Sequence, residues 1–406
     1  MKKIGSLLLV LVLLSCNEEE VGIKPGTWRV ALDVKNGKEL PFSMDWSEDN
    51  VLTMYNAEET IEVTDVRMFG EDSITIQAPV FEGIFKGTYT SEKISGDWIK
   101  PSLNRIVPFT MVHGDPDRFK PVADATVQVD GVWETVFSPE VEEDRYIAKG
   151  IFEQNGNEVT GTFRTTTGDY RYLQGVMDGD SLKLSTFDGA HAFLFEAKVT
   201  DSTYNGVFYS GNHWEEPFTG KRNADYELPD ANTLTFLKEG YDKFTFAFPD
   251  TSGDTLSLED ERFQDKVVVV QIMGTWCPNC LDETRYYTDY LNNNPHEDLK
   301  FVSLAFEYAP TTERAVASIE RLRNTVGVPY PILLAQVGTS SKQKANEKLP
   351  MLNHVLSYPT TIFIDKEGAV RKIHTGFNGP ATGEKYVAFK SEFESFVAQL
   401  LAEESE

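Results

Sequence analysis

Two of the chain's three cysteines, Cys277 and Cys280, fall in the stretch GTWCPNCLDE, residues 274–283. A pair of thiols separated by two residues can close into a disulfide, exchange that disulfide with another protein, or supply half of a metal site. A structural zinc site needs about four ligands, and the chain offers only six scattered histidines, none at partner spacing. Covalent haem attachment needs a histidine after the second cysteine, where Leu281 stands. Exchange chemistry needs a thiolate, and a helix N-terminus favours one through its unpaired amide hydrogens and positive dipole end. If a helix starts here, Cys277 is the attacking sulfur. Pro278 suits the first helical position, where its missing N–H is not needed. Cys280 follows one turn later on the same side, placed to resolve a mixed disulfide formed at Cys277.

Those thiols need elements to hold them. KVVVVQIM, Lys266 to Met273, is a continuous apolar run of the kind found in a strand buried on both faces, and it leads straight into Trp276-Cys277. An alternating strand is expected from Phe244 to Phe248, stopping at Pro249-Asp250, and a second buried strand from Leu299 to Phe306. Thr312 to Val326 carries Val316, Ile319, Leu322 and Val326 at helical spacing with Gly327 as the stop signal. PILLA from Pro331 and TTIFID from Thr360 read as strands, the latter turning through Lys366 to Gly368 into AVRKIH. Tyr386, Phe389, Phe393, Phe396 and Leu400 step by three and four, which predicts a final helix with one apolar stripe. The order is strand, helix, strand, helix, strand, β-hairpin, helix.

The preceding part, residues 24–225, reads as all-β, with short alternating segments set between turn residues. Asn36-Gly37 and Asn155-Gly156 each fit a two-residue hairpin turn that needs positive φ at both central positions. Its halves, 24–125 and 126–225, resemble each other: Gly26-Thr27-Trp28 answers Gly131-Val132-Trp133, and Gly96-Asp97-Trp98 answers Gly206-Val207-Phe208. Trp28, Trp46, Trp98, Trp133 and Trp214 are expected in the core of a sandwich or barrel rather than along a ligand groove. Residues 226–242 are polar and turn-rich and mark the linker to the last domain, 243–406.

A buried strand running into Trp276-Cys277-Pro278-Asn279-Cys280, followed by a helix and later by Tyr358-Pro359 at the head of a strand, resembles the thioredoxin fold. Within it, the TlpA/ResA-like thiol-disulfide oxidoreductases of bacterial envelopes are the nearest group, including those of Bacteroidota that carry a β-rich region ahead of the domain. The resemblance spans about residues 243–406 and implies an α/β thioredoxin-like domain with no cofactor. It implies that Pro359 is the cis-proline facing the dithiol, that Tyr358, Trp276, Pro278 and Asn279 border the client groove, and that Trp276 covers the sulfur pair. At the position where thioredoxins place a buried aspartate stands Gln271. Glu283 matches the acid that ResA-like proteins keep near the active site, which implies a semi-buried proton carrier for Cys280; the competing reading is a surface glutamate paired with Arg285. A peroxiredoxin would have Pro and Thr ahead of a lone cysteine, and a copper-handling relative a wider cysteine spacing with a Met or His partner; His354 and His374 read as surface or strand residues.

The resemblance implies disulfide-bearing envelope proteins as partners. The uncharged Asn279, where strong oxidants carry histidine, favours a reductant, and by analogy a reductant in an oxidising compartment is recharged by a membrane electron donor of the DsbD/CcdA type. Lys2 and Lys3 ahead of the apolar run Ile4 to Leu14 read as a signal peptide, residues 1–15. Leu13-Leu14-Ser15-Cys16 resembles a lipoprotein processing site, with Cys16 lipidated as the membrane anchor and residues 16–23 as an acidic tether. Anchoring on the periplasmic side of the outer membrane or on the cell surface follows. Loss of the two lysines takes the formal charge from −26 to −28, which argues against nucleic acid as a partner. The alternative function is a surface lipoprotein whose β-rich domain binds glycan or protein, with the thioredoxin-like domain auxiliary.

Overall fold

The computed structural model describes residues 22–404, so the signal peptide and Cys16 lie outside the described residues. Nine antiparallel strands between Gly26 and His113 form a meander in which Gly26–Asp33 pairs with both Glu39–Trp46 and Arg105–His113. Glu59–Val63 and Val66–Phe69 are left as its two edges. The second set repeats the plan: Gly131–Phe137 pairs with Tyr146–Asn155 and with Trp214–Arg222. Here the ring closes, because Tyr146–Asn155 also pairs with Glu158–Thr165, which pairs with Leu173–Asp178. Trp28 and Trp133 each donate their indole N–H to the carbonyl four residues earlier, on Lys24 and Val129.

Alternation puts Trp133, Phe137, Phe163, Phe195, Tyr204 and Phe218 inside the second barrel, all fully buried, so its interior is filled with aromatic rings. Its outer face packs on the first sheet through Phe187, stacked on Phe42 at 4.5 Å between ring centroids. Trp28, Trp46, Trp98 and Trp133 are core residues, but Trp214 is 42 % exposed. It starts the last strand, where its side falls beyond the layer that the barrel and sheet cover. The Asn36-Gly37 turn has positive φ at both residues. At the other hairpin Asn155 is still paired, opposite Glu158, so the turn centres are Gly156 and Asn157 and only Gly156 has positive φ.

The C-terminal sheet has the order Ile332–Gln336, Leu299–Phe306, Val267–Met273, Thr360–Ile364, Val370–Thr375. The first three strands run parallel, and Thr360–Ile364 is antiparallel to Val267–Met273. Every residue of Val267–Met273 is buried, as a central strand covered on both faces must be. Four helices surround the sheet: α1 (Pro278–Asn293), α2 (Thr312–Val326), α3 (Lys342–Lys348) and α4 (Glu384–Ala402). Tyr286 and Tyr287 of α1 pack on Phe393 of α4, with centroids 5.3 and 5.1 Å apart.

Three details differ from the sequence expectation. The first strand of the domain is only Ala247–Pro249, paired with Thr255–Ser257, although Phe244 and Phe246 are buried beside it. Helix α3 was not expected, because Ala345 is its one buried residue and it shows no apolar stripe. Residues 226–242, read as a linker, lie along the last domain: Leu237 bridges Leu352, Phe236 and Asn353 exchange hydrogen bonds, and Ala231 accepts from Thr375 N.

Candidate active site

The Val267–Met273 strand delivers the chain into a short turn, Gly274 to Trp276, that the buried Glu307 carboxylate holds by accepting from Thr275 N at 2.8 Å and Thr275 Oγ1 at 2.7 Å. Trp276 folds back and donates Nε1–H to Phe306 O at 2.9 Å. A Cβ on Gly274 would come within 2.4 Å of that indole nitrogen, so only glycine lets the ring lie there. Cys277 is the N-cap of α1, and its sulfur accepts from Cys280 N at 3.3 Å. Its thiol also donates to Tyr358 O at 3.4 Å, across the cis Tyr358–Pro359 bond. Cys277 is 7 % exposed and Cys280 is fully buried, both as free thiols. Burial pushes the Cys280 thiol well above its ordinary value, and the adjacent Cys277 adds to that rise.

Glu283 is fully buried, not semi-buried as expected, since α1 packs this face onto the sheet. Its carboxylate accepts from Gln271 Nε2 at 2.9 Å, Tyr287 OH at 3.0 Å and Thr361 Oγ1 at 3.0 Å. Burial raises its pKa to about 7 while those hydrogen bonds hold it down. Arg285 reaches Asp282 at 3.5 Å instead of Glu283. Gln271 also donates to Cys280 O at 3.3 Å and accepts from Ser303 Oγ at 2.7 Å, so one amide ties the second cysteine's backbone to the acid.

The likenesses to known proteins fall in the C-terminal part of the chain. Residues 227–388 match the Redoxin family. The thioredoxin-like protein YneN of Bacillus subtilis is 27 % identical over 140 residues, covering 34 % of this chain and 73 % of that protein. The thiol:disulfide interchange protein DsbE of Escherichia coli K12 is 25 % identical over 166 residues, 41 % of this chain and 80 % of DsbE. A thioredoxin-family thiol:disulfide interchange protein of Chlorobium tepidum, known as a crystal structure, aligns over 41 % of this chain and 99 % of its own at 17 % identity and a TM-score of 0.30. The C-terminal region thus carries a Redoxin domain with a thioredoxin-like fold, the equipment of a thiol-disulfide oxidoreductase.

The oxidoreductase domain does not stand alone around its sulfurs. Asn279, between the cysteines, donates Nδ2–H to Asp169 O at 3.1 Å and to Phe377 O at 3.3 Å, so it is engaged by the second barrel. Pro278 is buried and gives its carbonyl to Arg171 Nη1 at 3.3 Å, so it faces the barrel and not the cavity. The Arg171 guanidinium lies among Glu59, Asp282 and Asp188, the last at 3.4 Å. Asp169 accepts from Gly379 N at 2.6 Å, and its pKa is raised to about 6 by burial against that bond and Arg171. Ser357, just before Tyr358, donates to Thr167 O at 2.7 Å.

Between barrel and oxidoreductase domain opens a cavity of about 880 Å³ that contains Cys277, Trp276, Asn279 and Tyr358 on one side. The sequence reading missed Glu307, Asp169, Arg171 and Lys342 of α3, which lines this cavity. Glu307 follows a strand end, and a lone polar residue after an apolar run was the available signal. The barrel residues carry none, since their partners in the other parts of the chain are more than 100 positions away.

Proposed function

We propose that the chain is an envelope thiol-disulfide oxidoreductase, anchored through Cys16, that reduces disulfides of other proteins with the Cys277/Cys280 dithiol. The division into residues 24–225, 226–242 and 243–406 belongs to the same proposal. The Cys277 thiolate attacks one sulfur of a client disulfide; that S–S bond breaks, and the departing client thiolate takes a proton from solvent. Cys280 then passes its proton to the Glu283 carboxylate and attacks the Cys277 sulfur, closing the internal disulfide and releasing the second client thiolate. Two electrons leave the dithiol for the client. A membrane dithiol donor returns them and reopens the Cys277–Cys280 bond. Tyr358 and Pro359 border the place where the client backbone lies.

The observation that carries this reading is the asymmetry of the two sulfurs. Cys277 caps a helix at the cavity, whereas Cys280 is sealed behind it next to an acid that titrates near neutrality. An uncharged Asn279 held by barrel and Phe377 carbonyls supports the reducing direction. The aromatic filling of the second barrel leaves its interior unsuited to glycan. Expression of full-length Cys280→Ser in the host should trap a client as a mixed disulfide at Cys277, and reduced wild-type protein should reduce insulin. Absence of both would overturn the proposal.

A further inference from the structure

We infer that the second barrel forms half of the client groove and selects segments whose exchanged cysteine is flanked by basic residues. The inference rests on the dithiol exchange proposed above and adds its substrate class.

A client reaching Cys277 enters a cavity whose near wall is Trp276 and Tyr358 and whose far wall is the barrel, with Tyr170, Phe193 and the loop from Glu142 to Arg145. At about 880 Å³ the space lies in the range of about 300–1,000 Å³ that binding clefts occupy. The barrel is pinned there by Asn279, Arg171 and Ser357, so the far wall is a fixed part of the site.

Two observations identify the occupant. First, Glu142, Glu143 and Asp144 are exposed on the cavity wall and none forms an ion pair among the described residues, so they outnumber the two cations of the lining, Arg145 in the same loop and Lys342 of α3. Such carboxylates attract a cationic partner and repel an acidic one, and the chain's charge of −26 adds to the repulsion. Second, Tyr358 is 7 % exposed, and its hydroxyl has no hydrogen-bond partner among the described residues. That hydroxyl is sealed inside the cavity wall, its ring packed beside those of Trp276 and Phe306. Tyr170 and Phe193 add half-buried aromatic edges to this wall, with His191 stacked on Phe193 at 4.4 Å between centroids, against which a lysine or arginine stem can pack.

The test uses reduced full-length protein and two peptides of equal length, each a mixed disulfide with thionitrobenzoate, whose cysteine is flanked by Lys-Lys or by Glu-Glu. Cys277 attacks the peptide sulfur, the S–S bond breaks, and the coloured thionitrobenzoate anion leaves; Cys280 then frees the peptide thiol. Each rate is divided by the rate of the same peptide with neutral dithiothreitol. At low salt the lysine peptide should react about tenfold faster or more, as steered association allows, and the ratio should fall towards one in 1 M salt, where the Debye length is about 3 Å. Glu142→Lys/Glu143→Lys/Asp144→Lys should invert the ratio. The same reversal at exposed Glu48, Asp49 and Glu71, outside the cavity, should leave it in favour of lysine. A ratio near one in wild type, or one that both triple variants change equally, overturns the inference. Bis-hydroxyethyl disulfide separates the two levels: if it is reduced while the peptides do not differ, only the charge selection fails, and if it is inert along with both peptides, the exchange reading fails too.

Discussion

Glu283 has lost all contact with solvent and is held by three neutral donors with no cation among them. Its pKa of about 7 against an ordinary 4.5 means that the folded chain holds this proton more tightly than the unfolded chain does. The associated stability is therefore complete below about pH 4.5 and is lost as the pH rises through 7, by about 3 kcal/mol. Glu307, raised to about 7, and Asp169, raised to about 6, act in the same direction, both chiefly through burial. Unfolding free energy measured by urea denaturation should thus fall between pH 5 and pH 8. Glu283→Gln removes one titrating group, so the variant should gain on wild type by about 2–3 kcal/mol across that interval. In stopped flow the same variant should close its mixed disulfide about a hundredfold more slowly, with no inflection near pH 7. A stability difference that is flat with pH, or an unaltered closing rate, would show that the acid is only a structural hydrogen-bond acceptor.

Helix α1 carries both cysteines, and its first turn is fixed from outside the oxidoreductase domain. Arg171 reaches the Pro278 carbonyl and Asp282 on the helix, Asp188 in its own barrel, and Glu59 in the first sheet. One buried guanidinium thus offsets three carboxylates from three parts of the chain. Removing it strands those charges, so Arg171→Ala should cost about 3–5 kcal/mol in a denaturation experiment. Asp282→Asn should cost less, because Arg171 keeps two carboxylates; an equal cost would mean that the network is not organised around the arginine. None of this was legible in the sequence, where Arg171 sits in the unremarkable stretch DYRYLQ. What was legible follows from covering. Val267–Met273 is apolar but for Gln271 because it is buried on both faces, and α2 is amphipathic and ends at Gly327 with φ of 76°. Helix α3 buries only Ala345 and left no such trace, and Trp214, on the same strand face as buried Glu216 and Phe218, shows that an aromatic at a strand end can stay uncovered. The cysteine turn was legible because helix capping chemistry is local, whereas its barrel contacts span over 100 residues and are set by tertiary packing alone.

At the scale of the molecule, access to Cys277 depends on how closely the second barrel seats against the oxidoreductase domain. The seat is narrow at Gly168, where φ is +141° and a Cβ would stand 2.4 Å from Asn279 Nδ2 and 3.2 Å from Phe377 O. It is equally narrow on the facing side, where a Cβ on Gly376 would meet Thr167 C at 2.7 Å. Close approach of two backbones at both places is what lets Asn279 and Ser357 reach barrel carbonyls. Gly168→Ala adds one methyl group at this contact, in a backbone region that disfavours a side chain, without touching either cysteine. The barrel should be displaced from α1 while each β core, which lies elsewhere, stays packed. Cys277 should then react faster with a polyethylene-glycol maleimide relative to iodoacetamide, by about tenfold if the lost contact is worth about 1.4 kcal/mol. Because both reagents meet the same sulfur, their ratio reports steric access and cancels any change in its ionisation. A ratio equal to that of wild type, in a variant whose far-ultraviolet circular dichroism is unchanged, would mean that the barrel does not gate the dithiol.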